Sequence, residues 1–155
     1  MTGEVKKAFN AACKLLAVRD RSVFEVRTAL EKKQFGESAV EGAVAELLRR
    51  NLLDDEKFAA RYAESLVRHK KAGPRYISAA LARKGIGAAA AMEATKTASD
   101  PRKQDAAVKE WIERKSASKR KNDSLEKRKK RIYDFLLRRG FSPEVVMKNI
   151  RNLRE

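Results

Sequence analysis

The chain has 155 residues, enough for one ordinary domain or a few small modules. Its 37 Lys and Arg against 21 Asp and Glu give a formal charge of +16, which points to a polyanionic partner: nucleic acid first, then an acidic protein face or an anionic membrane surface. No apolar run approaches the roughly 18 residues of a membrane span. Lys6, Lys7 and Asn10 interrupt the N-terminal apolar residues, unlike a secretory signal, and the single Cys13 excludes an internal disulfide, which fits a reducing cytoplasm.

Apolar residues recur at helical spacing throughout, and no segment alternates as a half-buried strand does. A first helix is expected over about Glu4 to Val18, with Phe9, Ala12, Cys13 and Leu16 on one face. Ser22 opens a second, and Glu25 completes a capping box. After a turn at Phe35-Gly36, Ser38 and Glu41 suggest another capping box. Val40, Val44, Leu47 and Leu48 form the third stripe, and Asn51 suits a left-handed stop.

Asp54 is the next expected N-cap, bracketed by Leu53 and Phe58 as a hydrophobic staple. Phe58, Tyr62, Leu66 and His69 run down that helix, which Gly73 is expected to end. Pro74 suits the first position of the fifth helix, where a missing N–H costs nothing, and Gly85 its stop. The Ala-rich sixth, about Ala88 to Thr97, has little to bury and is expected to be loosely held. Asp100-Pro101 starts the seventh, bearing Val108, Trp111 and Ile112. A polar stretch, Ser116 to Asp123, precedes an eighth helix with Ile132, Phe135 and Leu136. Gly140 ends it, and Ser142-Pro143 opens a ninth.

Three segments align: Leu30-Glu-Lys-Lys-Gln-Phe35, Leu81-Ala-Arg-Lys-Gly-Ile86 and Leu136-Leu-Arg-Arg-Gly-Phe141. Each ends a helix with a basic residue, a turn residue and a large apolar residue, and their leucines lie 51 and 55 residues apart. One copy would be an ordinary helix ending; three inside the same helix order indicate a repeat. The expected fold is all-α: an elongated, right-handed or curved solenoid of three tandem three-helix repeats, nine helices in all. The expected division is 1–51, 52–99 and 100–155, with a basic linker over 116–131. A three-helix unit has little core alone, and stacking supplies the rest.

These residues resemble the RecX family, the regulators of the recombinase RecA. The resemblance runs from Leu15-Leu-Ala-Val-Arg19-Asp-Arg21-Ser22 through Leu52-Leu53-Asp54-Asp55-Glu-Lys-Phe58-Ala59-x-x-Tyr62. It continues in Gly73-Pro74-Arg75-x-Ile77-x-x-x-Leu81-x-x-Lys84-Gly85-Ile86 and Phe135-Leu136-x-x-Arg139-Gly140-Phe141-Ser142. It implies a cytoplasmic negative regulator of RecA that binds the groove of the RecA–DNA filament and limits filament extension, ATP turnover and strand exchange. The expected partners are that filament and single- or double-stranded DNA. The chain itself is expected to act as a monomer.

The segment Arg102 to Arg131 holds 13 Lys or Arg against 5 Asp or Glu. Its candidates for phosphate contact are Lys119, Arg120, Lys121, Lys127, Arg128, Lys129, Lys130 and Arg131, followed by Arg138 and Arg139. A solvated linker is the alternative for this run. Arg19, Arg21 and Arg27, around the second helix, and Arg75, beside Pro74, are further partner-binding candidates. Cys13 reads as core and Trp111 as core of the third repeat, with base stacking as its alternative. His69 has no second His beside it, no phosphate-cradling glycine loop is present, and no nucleophile adjoins a base. No enzyme activity, metal or cofactor is therefore expected. The competing functional class is a helix-turn-helix DNA-binding protein acting without RecA, with pairs such as Val23–Leu48 as modules.

Overall fold

Residues 1–118 and 120–154 are described by a computed structural model of the chain. Among them the chain forms nine helices and no strand: α1 (Gly3–Val18), α2 (Val23–Lys32), α3 (Glu37–Arg49), α4 (Asp55–Lys70), α5 (Pro74–Arg83), α6 (Ala88–Ala98), α7 (Pro101–Ala117), α8 (Leu125–Arg138) and α9 (Pro143–Ile150).

Local chemistry fixes most of these boundaries. The side chains of Thr2, Ser22, Asp54, Asp100, Ser124 and Ser142 each accept a backbone N–H of the helix they open, which removes one orphan donor apiece. Ser22 and Glu25 form the complete capping box. Asn51, Gly85 and Gly140 take the left-handed conformation. Ile86 and Phe141 then donate their N–H back to Leu81 and Leu136, which folds each large apolar residue under the helix just ended.

Two expected boundaries differ. The third helix starts two residues earlier than a Ser38 cap implies, at Glu37, capped by the Gly36 backbone without a side-chain bond. Ser38 is therefore already helical, and Glu41 reaches Arg27 at 2.8 Å instead of closing a box. The fourth helix stops at Lys70, with Lys71 in the left-handed region, whereas Gly73 caps the start of α5.

The helices sort into three triples, each with its own core. Ala8, Ala12, Val26, Leu30, Val40, Val44 and Leu47 fill the first. Phe58, Ala59, Ala63, Leu66, Ile77 and Leu81 fill the second, and Val108, Ile132, Leu136, Phe141 and Val146 the third. The α6 helix is not loosely held. Ala91, Ala94 and Ala98 are buried, because small side chains let α6 lie close against α4.

Helix packing runs within each triple: α1, α2 and α3 together, then α4–α6, then α7–α9. The triples join end to end through turns. The accessible surface, 10077 Å², exceeds the ~7,900 Å² of a compact monomer of this mass, as an elongated chain of stacked units requires.

Both joints use the same device. The basic-glycine turn ending a unit's second helix docks on the start of the preceding unit's second helix. At the first joint the Ser22 hydroxyl donates to the Lys84 carbonyl at 2.6 Å, and Lys84 Nζ bonds Glu25 at 2.7 Å. At the second, Gly73 N–H donates to the Arg139 carbonyl at 2.8 Å and Arg75 N–H to the Gly140 carbonyl at 3.1 Å. A Cβ on Gly73 would overlap the Gly140 backbone, and one on Gly140 would overlap Tyr76. Glycine here permits two backbones to touch.

Candidate polyanion-binding surface

The basic residue of each docking turn sits between the preceding unit and an aromatic ring of its own. Lys84 lies 5.5 Å from the Tyr62 ring centroid while bonded to Glu25. Arg139 lies 5.0 Å from Trp111 and 5.7 Å from Tyr76, and its guanidinium donates to the Lys70 carbonyl. Such cation–π contacts gain strength when partly desolvated.

Burial pushes the Glu25 carboxyl up, but hydrogen bonds from Arg19, Lys84 and the Ser22 N–H outweigh it and bring the pKa to about 2. Glu25 is thus a charged hub of the first joint. Asp55 accepts the Val23 N–H at 2.9 Å, and Asp20 pairs with Arg61 at 2.9 Å, also across that joint.

A cationic concavity lies on the third unit, at the elbow between α7 and α8. It encloses about 440 Å³ and is lined by Trp111, Phe135, Arg114, Lys115, Arg120, Arg131 and Arg138, without a carboxylate. The α7 helix carries Trp111, Arg114 and Lys115 on one face through i, i+3 and i+4 spacing. The Trp111 and Phe135 rings meet edge to face at 5.0 Å, and Lys115 Nζ stands 4.2 Å from the Phe135 centroid. Asp123 grips Arg131 through two bonds of 2.8 and 2.7 Å. The hydrogen bond from Arg131 lowers the Asp123 carboxyl from its ordinary value, against opposition from burial. Of the five cations here, Arg131 is held by Asp123 and Arg114 stands 3.0 Å from Glu110, while Lys115, Arg120 and Arg138 pair with no carboxylate among the described residues and suit an anionic group such as a phosphodiester.

The expected contact residues separate by exposure and by pairing. Arg120, Lys121, Lys127, Lys130 and Arg138 are exposed on the third unit, and Lys129 is half-buried. Lys130 stands 3.6 Å from Asp134. Arg75 is exposed at the second joint. Arg19 and Arg27 are tied to Glu25 and Glu41, while Arg21 Nε donates to the Leu15 carbonyl at 3.3 Å.

Arg128 and Arg139 are committed to the fold. Arg128 is 4 % exposed and reaches the Arg154 carbonyl at 3.2 Å, because its place on α8 faces the third core. Arg139 is held in the second joint. Lys119 lies outside the described residues. Sequence reasoning missed Arg114 and Lys115, although their spacing from Trp111 was the available signal.

Trp111 is half-buried: it packs against the third core, as expected, and its indole also bonds across the joint, with Arg114 and Arg139 beside its ring. Cys13 is half-buried against the first core. Among the described residues no group of three or more His, Cys, Asp or Glu side chains could hold a metal ion, and no helix is long and apolar enough to cross a membrane.

Family models match all three units: the first three-helix domain of RecX over residues 8–47, the second over 54–94 and the third over 103–149. The regulatory protein RecX of Halalkalibacterium halodurans is 34% identical over 143 residues, covering 92% of this chain and 53% of that protein. The Bacillus cytotoxicus RecX is 28% identical over 152 residues, 98% of this chain and 56% of that one, so the chain spans about half the length of these relatives. It covers 92% of the Chlorobium phaeobacteroides RecX, at 33% identity and 94% of its own length. The crystal structure of RecX from Lactobacillus salivarius superposes with a TM-score of 0.87 over 99% of this chain and 98% of that one, at 24% identity. Three matched units in the right order, on a fold shared along the whole chain, make this protein a member of the RecX family of regulatory proteins.

Proposed function

We propose that this protein is a negative regulator of the recombinase RecA, acting without catalysis from within the groove of the RecA–DNA filament. Membership of the RecX family of regulatory proteins, together with the cationic elbow of this chain's third unit, carries this reading. A chain of three jointed units reaches across neighbouring protomers of a filament. Cations at its third unit, Arg114, Lys115, Arg120 and Arg138, meet the filament's DNA phosphates or acidic groove surface. Bridging protomers hinders filament extension and the closure that ATP turnover needs, and so limits strand exchange. The protein works in the cytoplasm as a monomer.

The test is RecA-catalysed, DNA-dependent ATP hydrolysis with substoichiometric protein added. Hydrolysis is expected to fall well before one regulator is present per RecA. An unchanged rate over a broad concentration range rejects the proposal.

A further inference from the structure

The first joint opens into a second cleft, of about 530 Å³, on the scale of ligand-binding clefts. Phe24 forms one wall. It is 52% exposed and is the one exposed aromatic residue among the described residues. The ring makes no aromatic or cation–π pairing with the described residues. Its root is nonetheless fixed: the Gly85 turn lies so close that a Cβ there would overlap Phe24 Cβ and Cγ.

Cations surround it. Arg21, Lys32 and Arg83 line the same cleft, and none of them pairs with a carboxylate among the described residues. Arg21 is aimed by its Nε bond to the Leu15 carbonyl, leaving the rest of the guanidinium for another acceptor. The acid in the wall, Glu25, is already neutralised by Arg19 and Lys84. The cleft therefore holds a net positive field beside a free π-face.

We propose that this cleft binds single-stranded nucleic acid, with one unpaired base stacked on Phe24 and the flanking phosphates held by Arg21, Lys32 and Arg83. A stacking face and tracking cations are the two parts of a single-strand site. Duplex bases have their faces covered and cannot use the ring. An acidic peptide would satisfy the cations, but it offers the ring no flat partner. This site stands apart from the third-unit elbow and needs no recombinase.

The test uses the full chain without RecA and a labelled oligothymidylate of about 15 nucleotides, read by fluorescence anisotropy. Phe24→Ala is expected to weaken binding about 5- to 150-fold, the range of one lost stacked base, while affinity for a duplex of equal length stays as in the parent. Phe24→Trp is expected to retain binding. The double variant Lys32→Ala, Arg83→Ala, at two exposed positions, is expected to lower the salt slope by about 1.4. Circular dichroism checks the fold, and the double variant reads the cleft even if Phe24→Ala unfolds. Unchanged oligothymidylate binding in Phe24→Ala overturns the proposal, as does an equal loss on duplex. A loss confined to an oligoglutamate peptide overturns it in favour of a protein partner.

Discussion

The indole N–H of Trp111 donates to the carbonyl of Lys71, 3.1 Å away, across the joint between the second and third units. Lys71 presents that carbonyl because it ends α4 in the left-handed region, and its own Nζ bonds Glu110 at 2.7 Å. Trp111→Phe keeps an aromatic ring and removes this donor. The loss is expected to be about 0.5–1.5 kcal/mol of unfolding free energy, measured by urea titration. Trp111 is the single tryptophan, so its emission in the parent protein reports opening of this joint. A stability unchanged in Trp111→Phe would show that the bond contributes nothing.

Gly140 combines φ +92 with a backbone approach to Tyr76. Gly140→Ala is expected to cost about 2–4 kcal/mol, from a strained left-handed alanine and from separation of the two turns. Gly3→Ala, where an added Cβ meets nothing within 4 Å, should stay close to the parent in the same denaturant series.

The first joint depends on pH through Glu25. Its folded pKa, about 2, lies below the ordinary value of 4.5. The unfolded chain therefore takes up this proton first. The stabilisation is fully present above about pH 4.5 and is lost as pH falls through the folded value near 2. Its size is on the order of 2 kcal/mol, with partial exposure of Arg19 screening the pair. Glu25→Gln is expected to flatten the stability profile across that window in acid titrations followed by circular dichroism.

Arginines on the third unit should divide by burial. Arg138→Ala, exposed in the elbow, is expected to lower polyanion affinity and reduce the slope of log K against log salt by about 0.7–0.9 with little effect on folding. Arg128→Ala, buried on the third core, is expected to cost about 1–3 kcal/mol of stability and leave that slope alone. Equal slopes for Arg138→Ala and the parent would remove Arg138 from the contact surface.

Much of the fold was legible in the chain because helix ends are local chemistry. Ser22 with Glu25, Asp54 between Leu53 and Phe58, and Gly85 and Gly140 each mark a boundary through neighbours only a few residues away. Ser38 misled because the same capping pattern competed with Gly36, whose backbone already starts the helix, and with a distant partner for Glu41. The site was less legible. A run of basic residues shows charge but not direction, so Arg128 and Arg138 read alike although one turns to the core and the other to solvent.

By itself the sequence determined the helices, their grouping by threes and the family, since capping, turn chemistry and hydrophobic period act over a few residues and repeat visibly. The tertiary structure decided which cations remain free. Contacts between residues far apart in sequence, Lys84 with Glu25, Arg139 with Tyr76 and Trp111, consume some charges at the joints and leave others in the open. The apolar stripes carry the burial of the cores, but the burial of a cation such as Arg128 depends on how distant segments pack, which no local pattern of charge records.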